Sequence, residues 1–259
     1  MSYALVTGAS KGIGKAIAEE LAKQKFNLIL VARSEKLLQE TANHFKQTYN
    51  IDVVYVVKDL SHPTAPEELA KWIADNNLPL SVLVNNAGYA LWGRFDEQPL
   101  NDQVDMLHVN VECMVKLTHL LLPLLKKQQQ AYILNIASTT AYQAIPTLSV
   151  YAACKSFVIL FSRALRYEFK DTNISVTCIS PGTTSTNFMN RAGMTSEKMI
   201  KQAEKVTMAP EEVAKCAVSK MLKKKNEVIP GLINRVSVAM TYFVPKALTE
   251  KIAAGIYKN

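Results

Sequence analysis

The sequence predicts a doubly wound α/β fold: one domain over residues 1–259, with a parallel sheet of about seven strands and helices on both faces. Two observations predict it. The strand-like runs are apolar and rich in β-branched residues, without the polar alternation of a sheet that meets water on one face. These runs also alternate with helix-length segments along the whole chain. Composition agrees, since 259 residues that are 49% apolar and 20% charged can bury the core of one ordinary α/β domain.

In chain order, apolar and largely β-branched runs place strands at 4–6, 28–31, 53–57, 82–84, 132–136 and 175–179, with a last short one near Val228. Helices are expected between them at 13–25, 35–49, 66–76, 100–126, 150–170 and 211–223. No Gly-, Ser- or Pro-rich linker and no repeat divides the chain.

Several function classes drop out at this level. Cys113, Cys154, Cys178 and Cys216 stand far apart, and His44, His62, His108 and His119 are scattered, so neither a disulfide framework nor a metal site is expected. Reduced thiols, the absence of a basic leader before the first strand and the absence of an apolar run of roughly 18 residues point to a cytoplasmic protein. The net charge of +8 is spread over many segments, with one denser run at 223–225 and no interleaved aromatics. Nucleic acid is therefore not an expected partner; a phosphate-rich cofactor accounts for part of the surplus. A surface-membrane role for 236–257, where apolar residues mix with lysines, is weakened by Pro245 and Gly255.

The first strand runs into Thr7-Gly8-Ala9-Ser10-Lys11-Gly12-Ile13-Gly14 and then a helix. Glycines here allow a tight turn, a close approach of backbone to pyrophosphate, and close helix–strand packing, while the helix N-terminus faces the anion. A glycine triplet alone is weak, but the strand–loop–helix context at the start of an α/β chain raises it to a dinucleotide site.

From this point the sequence resembles the short-chain dehydrogenase/reductase family. The wide spacing Gly8-x-x-x-Gly12-x-Gly14 after a threonine matches, and Asn85-Asn86-Ala87-Gly88 follows the fourth strand as the family's Asn-Asn-Ala-Gly does. Asp59-Leu60 looks like the family's adenine-contacting pair. Ser138 follows the fifth strand, Tyr151-Ala-Ala-Cys-Lys155 opens a long helix, and Asn110 lies in the preceding one. Their order resembles the family's Asn-Ser-Tyr-Lys tetrad. A second Tyr-x-x-x-Lys, Tyr242 to Lys246, has no such company and contains Pro245, which argues against a regular helix interior.

The resemblance implies a carbonyl–alcohol oxidoreductase. Tyr151 would be the proton donor and acceptor, and Lys155 would lower its pKa and hold the nicotinamide ribose. Ser138 would bond the substrate oxygen, and Asn110 would position a water in a proton relay. Pro181-Gly182 and the following Thr184 and Thr186 resemble the family's loop over the nicotinamide, and residues 187–206 its substrate lid. The cofactor residues are then Gly8, Ser10, Lys11, Gly12, Ile13, Gly14, Arg33, Asp59, Leu60, Asn86, Ala87, Gly88, Tyr151, Lys155, Pro181, Gly182, Thr184 and Thr186.

Charge selects the cofactor. An enzyme choosing NAD typically carries an acid at the end of the second strand. Here that strand ends Val31-Ala32-Arg33-Ser34. Arg33 and Lys11 suit a 2′-phosphate, so NADP(H) is expected over NAD(H). Leu91, Trp92, Tyr142, Ile145, Leu148, Phe188 and Met189 are the expected walls of a lipophilic substrate pocket, with Arg94 and Arg191 nearby in sequence.

The ending departs from the family's 3-oxoacyl-carrier-protein reductases and resembles DltE-like bacterial members, with an apolar and basic extension over 231–259. The expected assembly is a homodimer through helices 100–126 and 150–170, while the extension undermines the usual C-terminal tetramer. The competing readings are a 3-oxoacyl-carrier-protein-type reductase and a non-catalytic dinucleotide-sensing regulator.

Overall fold

The computed structural model describes residues 1–186, 188–194 and 207–257. Seven strands form one sheet: β1 (Tyr3–Thr7), β2 (Asn27–Ala32), β3 (Val53–Val57), β4 (Leu80–Asn85), β5 (Ala131–Ile136), β6 (Ile174–Ile179) and β7 (Glu227–Val228). Their spatial order is β3-β2-β1-β4-β5-β6-β7, every pair parallel. The direction of winding reverses between β1 and β4. In open α/β sheets that switch point leaves a crevice beyond the carboxyl ends of the strands, where ligands bind.

Among the described residues ten α-helices pack around the sheet or extend from it: α1 (Gly12–Lys23), α2 (Glu35–Tyr49), α3 (Ala65–Asp75), α4 (Leu100–Leu107), α5 (Cys113–Lys126), α6 (Ser149–Glu168), α7 (Phe188–Arg191), α8 (Pro210–Leu222), α9 (Leu232–Phe243) and α10 (Lys246–Tyr257). Alternate residues of each strand feed opposite cores. Val6, Leu30, Val84 and Leu134 pack with residues of α1, α2 and α8. Leu5, Ile29, Leu83 and Ile133 pack with residues of α3 and α5. Both faces are covered, which is why the strands are mostly apolar and show no alternation with polar residues.

The expected helices over 13–25, 35–49, 66–76, 150–170 and 211–223 form with shifts of one or two residues at their ends. The expected single helix over 100–126 does not form as one α-helix. A π-helical turn, His108–Glu112, separates α4 from α5 and contains buried Asn110. Such a turn admits an extra residue into the helix and is common at functional sites. The surrounding residues stay helical on either side, so the sequence pattern gives no sign of it.

The C-terminal extension folds as α9 and α10. Val244 is extended (φ −91°, ψ 137°) immediately before Pro245, which closes α9 and puts Tyr242 and Lys246 on separate helices. Asn234 and Val238 face inward, while Leu232, Val236, Met240 and Phe243 are exposed. Among the described residues no helix is long and apolar enough to cross a membrane. The cysteines are all free thiols, and no metal-binding cluster occurs among the described residues.

Candidate active site

The glycine loop and the Asn85–Gly88 turn leave adjacent strands at the switch point and lock onto each other. Thr7 Oγ1 donates to Val84 O at 3.1 Å and accepts from the amides of Asn86 and Ala87, both at 3.0 Å. Asn86 Nδ2 donates to Thr7 O at 2.8 Å. A Cβ on Gly14 would lie 2.3 Å from Gly8 O and 2.4 Å from Asn86 Nδ2, so only glycine fits where α1 meets the loop. Gly8 and Gly12 adopt positive φ, 68° and 54°. Lys11, the residue before α1, is extended and offers no side-chain cap, and the first turn carries no acid. Uncapped N–H groups at a helix N-terminus beside tight glycines fit a pyrophosphate. Lys11 is exposed and Ser10 partly so, whereas Ile13 packs partly into the core.

Arg33, just past β2, and Asp59, just past β3, form an ion pair at 3.7 Å. Their side chains remain 57% and 50% exposed, so both stay open to a ligand. Burial pushes the Asp59 carboxyl up, but bonds from the Ser61 amide and hydroxyl, with Arg33, bring it below the usual range. Leu60 is buried in the core beside α3.

The tetrad gathers near the carboxyl ends of β4 and β5. Tyr151 and Lys155 lie one helical turn apart on α6, both buried, with Lys155 Nζ 5.6 Å from the centre of the Tyr151 ring. Nζ donates to Ile136 O at 3.0 Å. Burial lowers the Lys155 pKa to about 8, and no carboxylate offsets that effect. A buried ammonium with one carbonyl partner can take further acceptors, as a ribose would supply.

Asn110 Nδ2 donates to Tyr89 O at 2.9 Å and Met106 O at 3.0 Å, while its Oδ1 is buried without a protein partner. A Cβ on Gly88 would sit 2.5 Å from that Oδ1 and 3.4 Å from Lys155 Nζ. Gly88 thus keeps open the gap between Asn110 and Lys155. Both side chains line a cavity of about 10 Å³. That is close to the room one water needs.

Ser138 caps a 3₁₀ turn, Thr139–Tyr142, its Oγ accepting from Thr140 N at 3.2 Å. Capping uses the oxygen as acceptor and leaves the hydroxyl proton for another group. Thr184 is buried and Thr186 partly exposed. A Cβ on Gly12 would meet Thr186 Cγ2 at 2.9 Å, so the loop after β6 reaches the glycine loop.

Most of the residues expected at the pocket wall share one apolar cluster. Ile145, Leu148 and Tyr151 form a buried cluster with Ala90, Met106 and Met194, against which Leu91, Trp92, Phe188 and Met189 pack. The Tyr151 and Phe188 rings are 5.6 Å apart. Tyr142 is the correction. It packs on the Met114–Cys178 cluster, and its hydroxyl lies 3.0 Å from Ser180 Oγ and 2.7 Å from Glu227 Oε1, away from the wall. Arg94 is paired with Asp96 and Glu97. Of the expected lid, 187 and 195–206, and the Arg191 side chain, lie outside the described residues.

Two structural roles go beyond the sequence reading. Thr7 stands there only as the threonine before the glycine loop, whereas here it ties β1 to the Asn85–Gly88 turn. Asn234 of α9 lies where a Cβ on Gly182 would be, 2.4 Å from its Oδ1, so the C-terminal extension closes on the Pro181-Gly182 loop. Nothing local to Asn234 signals this.

The family profile described as short chain dehydrogenase matches residues 2–199. The 7beta-hydroxysteroid dehydrogenase of Mediterraneibacter gnavus is 31% identical over 239 residues, covering 91% of this chain and 88% of that protein. The NADP-dependent 3-hydroxy acid dehydrogenase of Schizosaccharomyces pombe is 33% identical over 235 residues, 87% of this chain and 88% of that one. Hydroxysteroid dehydrogenase-like protein 1 of Gallus gallus is 32% identical over 199 residues, which span 76% of this chain and 60% of that protein. A solved structure reported for 7beta-hydroxysteroid dehydrogenase stereoselectivity superposes with a TM-score of 0.87 at 26% identity, covering 98% of this chain and 96% of that one.

Proposed function

The chain belongs to the short-chain dehydrogenase family, and from that premise we propose that it interconverts a carbonyl and an alcohol on a lipophilic small molecule, using NADP(H), with Tyr151 as general acid and base. The observation that carries this reading is the meeting of Asn110 and Lys155 around Gly88, with Tyr151 next to Lys155, beside a glycine loop that fits a pyrophosphate. A sensor without turnover has no need of a buried, uncompensated lysine beside a tyrosine.

When bound, the nicotinamide donates or accepts the hydride. In the reducing direction the Tyr151 hydroxyl gives its proton to the carbonyl oxygen. A free phenol, with a pKa near 10, exchanges protons poorly at neutral pH. The Lys155 ammonium favours the phenolate and brings that exchange into range. Ser138, fixed by the Thr140 amide, donates its hydroxyl proton to the same substrate oxygen. Lys155 would hold the cofactor ribose and give a proton back to the Tyr151 phenolate, and a water held by Asn110 Oδ1 would then restore the proton that Lys155 has lost.

The cofactor preference rests on Arg33 and Lys11. At 3.7 Å the Arg33–Asp59 pair is longer than the 2.7–2.9 Å of a charge-assisted bond, so the guanidinium is available to a 2′-phosphate. The yeast relative's NADP dependence supports the same reading. Each charge-assisted bond contributes about 1.5–3 kcal/mol, or roughly tenfold or more in affinity. NADPH should therefore bind tighter than NADH, and Arg33→Ala should weaken NADPH while leaving NADH nearly unchanged. Fluorescence titration of both cofactors measures this; equal affinities in the parent protein overturn the preference.

The apolar cluster around Tyr151 supports a lipophilic substrate, as do the hydroxysteroid dehydrogenases among the relatives. We also assign a homodimer to the exposed apolar side chains of α4, α5 and α6, among them Leu100, Val104, Leu120, Phe157 and Leu160. Light scattering at the mass of one chain would contradict it.

A further inference from the structure

Tyr142 links the turn that Ser138 caps to two neighbouring strand ends. Its phenol has one proton, and the Glu227 carboxylate can only accept, so Tyr142 donates to Glu227 Oε1 at 2.7 Å. Ser180 Oγ, at 3.0 Å, then donates to the phenol oxygen. Glu227 Oε2 accepts from Arg163 Nε at 2.7 Å, which fixes the carboxylate from its other side. Burial, and then the neighbouring carboxylate, hold the Tyr142 phenol well above its ordinary pKa, so the proton stays in place.

The turn itself is held at few points. Thr139 N donates to Pro181 O at 2.9 Å, and Ser156 Oγ donates to Ala141 O at 2.6 Å. Tyr142 anchors its C-terminal end, and Ser138 caps its N-terminal end. Glu227 begins β7, and Ser180, which is fully buried, immediately precedes Pro181.

We propose that Glu227, braced by Arg163, is a positioning residue that acts through Tyr142 to fix the turn from which Ser138 meets the reacting oxygen. The proposal rests on the assignment of Ser138 to that oxygen. Tyr142→Phe keeps the ring and removes the anchor. A displacement of about 1 Å near the chemistry can cost about a hundredfold, so a loosened turn should lower kcat/KM roughly tenfold. Cofactor affinity should be unchanged. Glu227→Ala should match this loss, and Glu227→Gln, which keeps an acceptor oxygen, should recover part of it.

The deciding experiment is a cycle of kcat/KM for parent, Tyr142→Phe, Ser138→Ala and the double variant, with cofactor affinity confirming the fold of each. If Tyr142 works through Ser138, its removal should cost less than about twofold once Ser138 is gone. Multiplying losses would mean that Tyr142 supports the fold alone and would overturn the proposal. Parent-level efficiency in Tyr142→Phe overturns it too. Parent-level efficiency in Ser138→Ala instead overturns the assignment of Ser138, and with it the positioning role. If Tyr142→Phe fails to bind cofactor, Glu227→Ala takes its place in the cycle with the same criteria.

Discussion

Tyr151→Phe is expected to fold and bind cofactor like the parent while losing turnover by about 10²–10⁴-fold, the range a positioned general acid contributes. The substitution removes one oxygen. The ring, 6% exposed, keeps its packing against Phe188 and its place beneath Lys155 Nζ. What disappears is the transferable proton, so the loss should fall on kcat and kcat/KM alike. Tyr242→Phe alters the other Tyr-x-x-x-Lys match. That side chain is 66% exposed on α9, edge-on to the Tyr142 ring and within hydrogen-bonding reach of Arg163, and it transfers no proton in this reading, so its activity should fall far less than that of Tyr151→Phe. Steady-state kinetics on both variants, with cofactor titration as the control for folding, makes the comparison. Equal behaviour of the two would show that the proton donor lies elsewhere.

Much of this arrangement is legible in the sequence because the physics is local or repeated. Leu5 and Val6 enter opposite cores, and so do the adjacent residues from Leu28 to Ala32 and from Val82 to Val84, which leaves no polar alternation for the pattern to show. The Tyr151–Lys155 spacing is one helical turn, so a shared face follows from geometry. The glycines are needed where a Cβ would strike backbone, as at Gly14, or the gap beside Asn110, as at Gly88.

The rest depends on contacts between distant segments. Tyr142 follows Ser138 closely, which suggested the same pocket. The 3₁₀ turn between them instead aims its hydroxyl at Glu227, a partner 85 positions away. Asn234 closes on Gly182 only because α9 folds back over the loop after β6. The π turn that carries Asn110 inserts a residue without disturbing the helical residues on either side, so periodicity alone cannot report it. Ser138 caps the 3₁₀ turn without giving up the role proposed for it, because the cap uses the oxygen and the substrate bond the proton.

The central claim, carbonyl–alcohol interconversion with NADP(H) in an apolar pocket, is tested most directly by catalytic efficiency on a homologous series of neutral ketones. Oxidation of NADPH is followed by the nicotinamide absorbance. Ile145, Leu148, Phe188, Met189 and Trp92 surround Tyr151 in one cluster. Each methylene buried there is worth about 0.8 kcal/mol, or roughly fourfold in kcat/KM. Four added carbons should thus raise efficiency by about two orders of magnitude, until the chain outgrows the pocket. That rise is expected, with NADPH as the better reductant. No NADPH oxidation with any ketone, or a flat series alongside faster rates on polyols or phosphate esters, would contradict it.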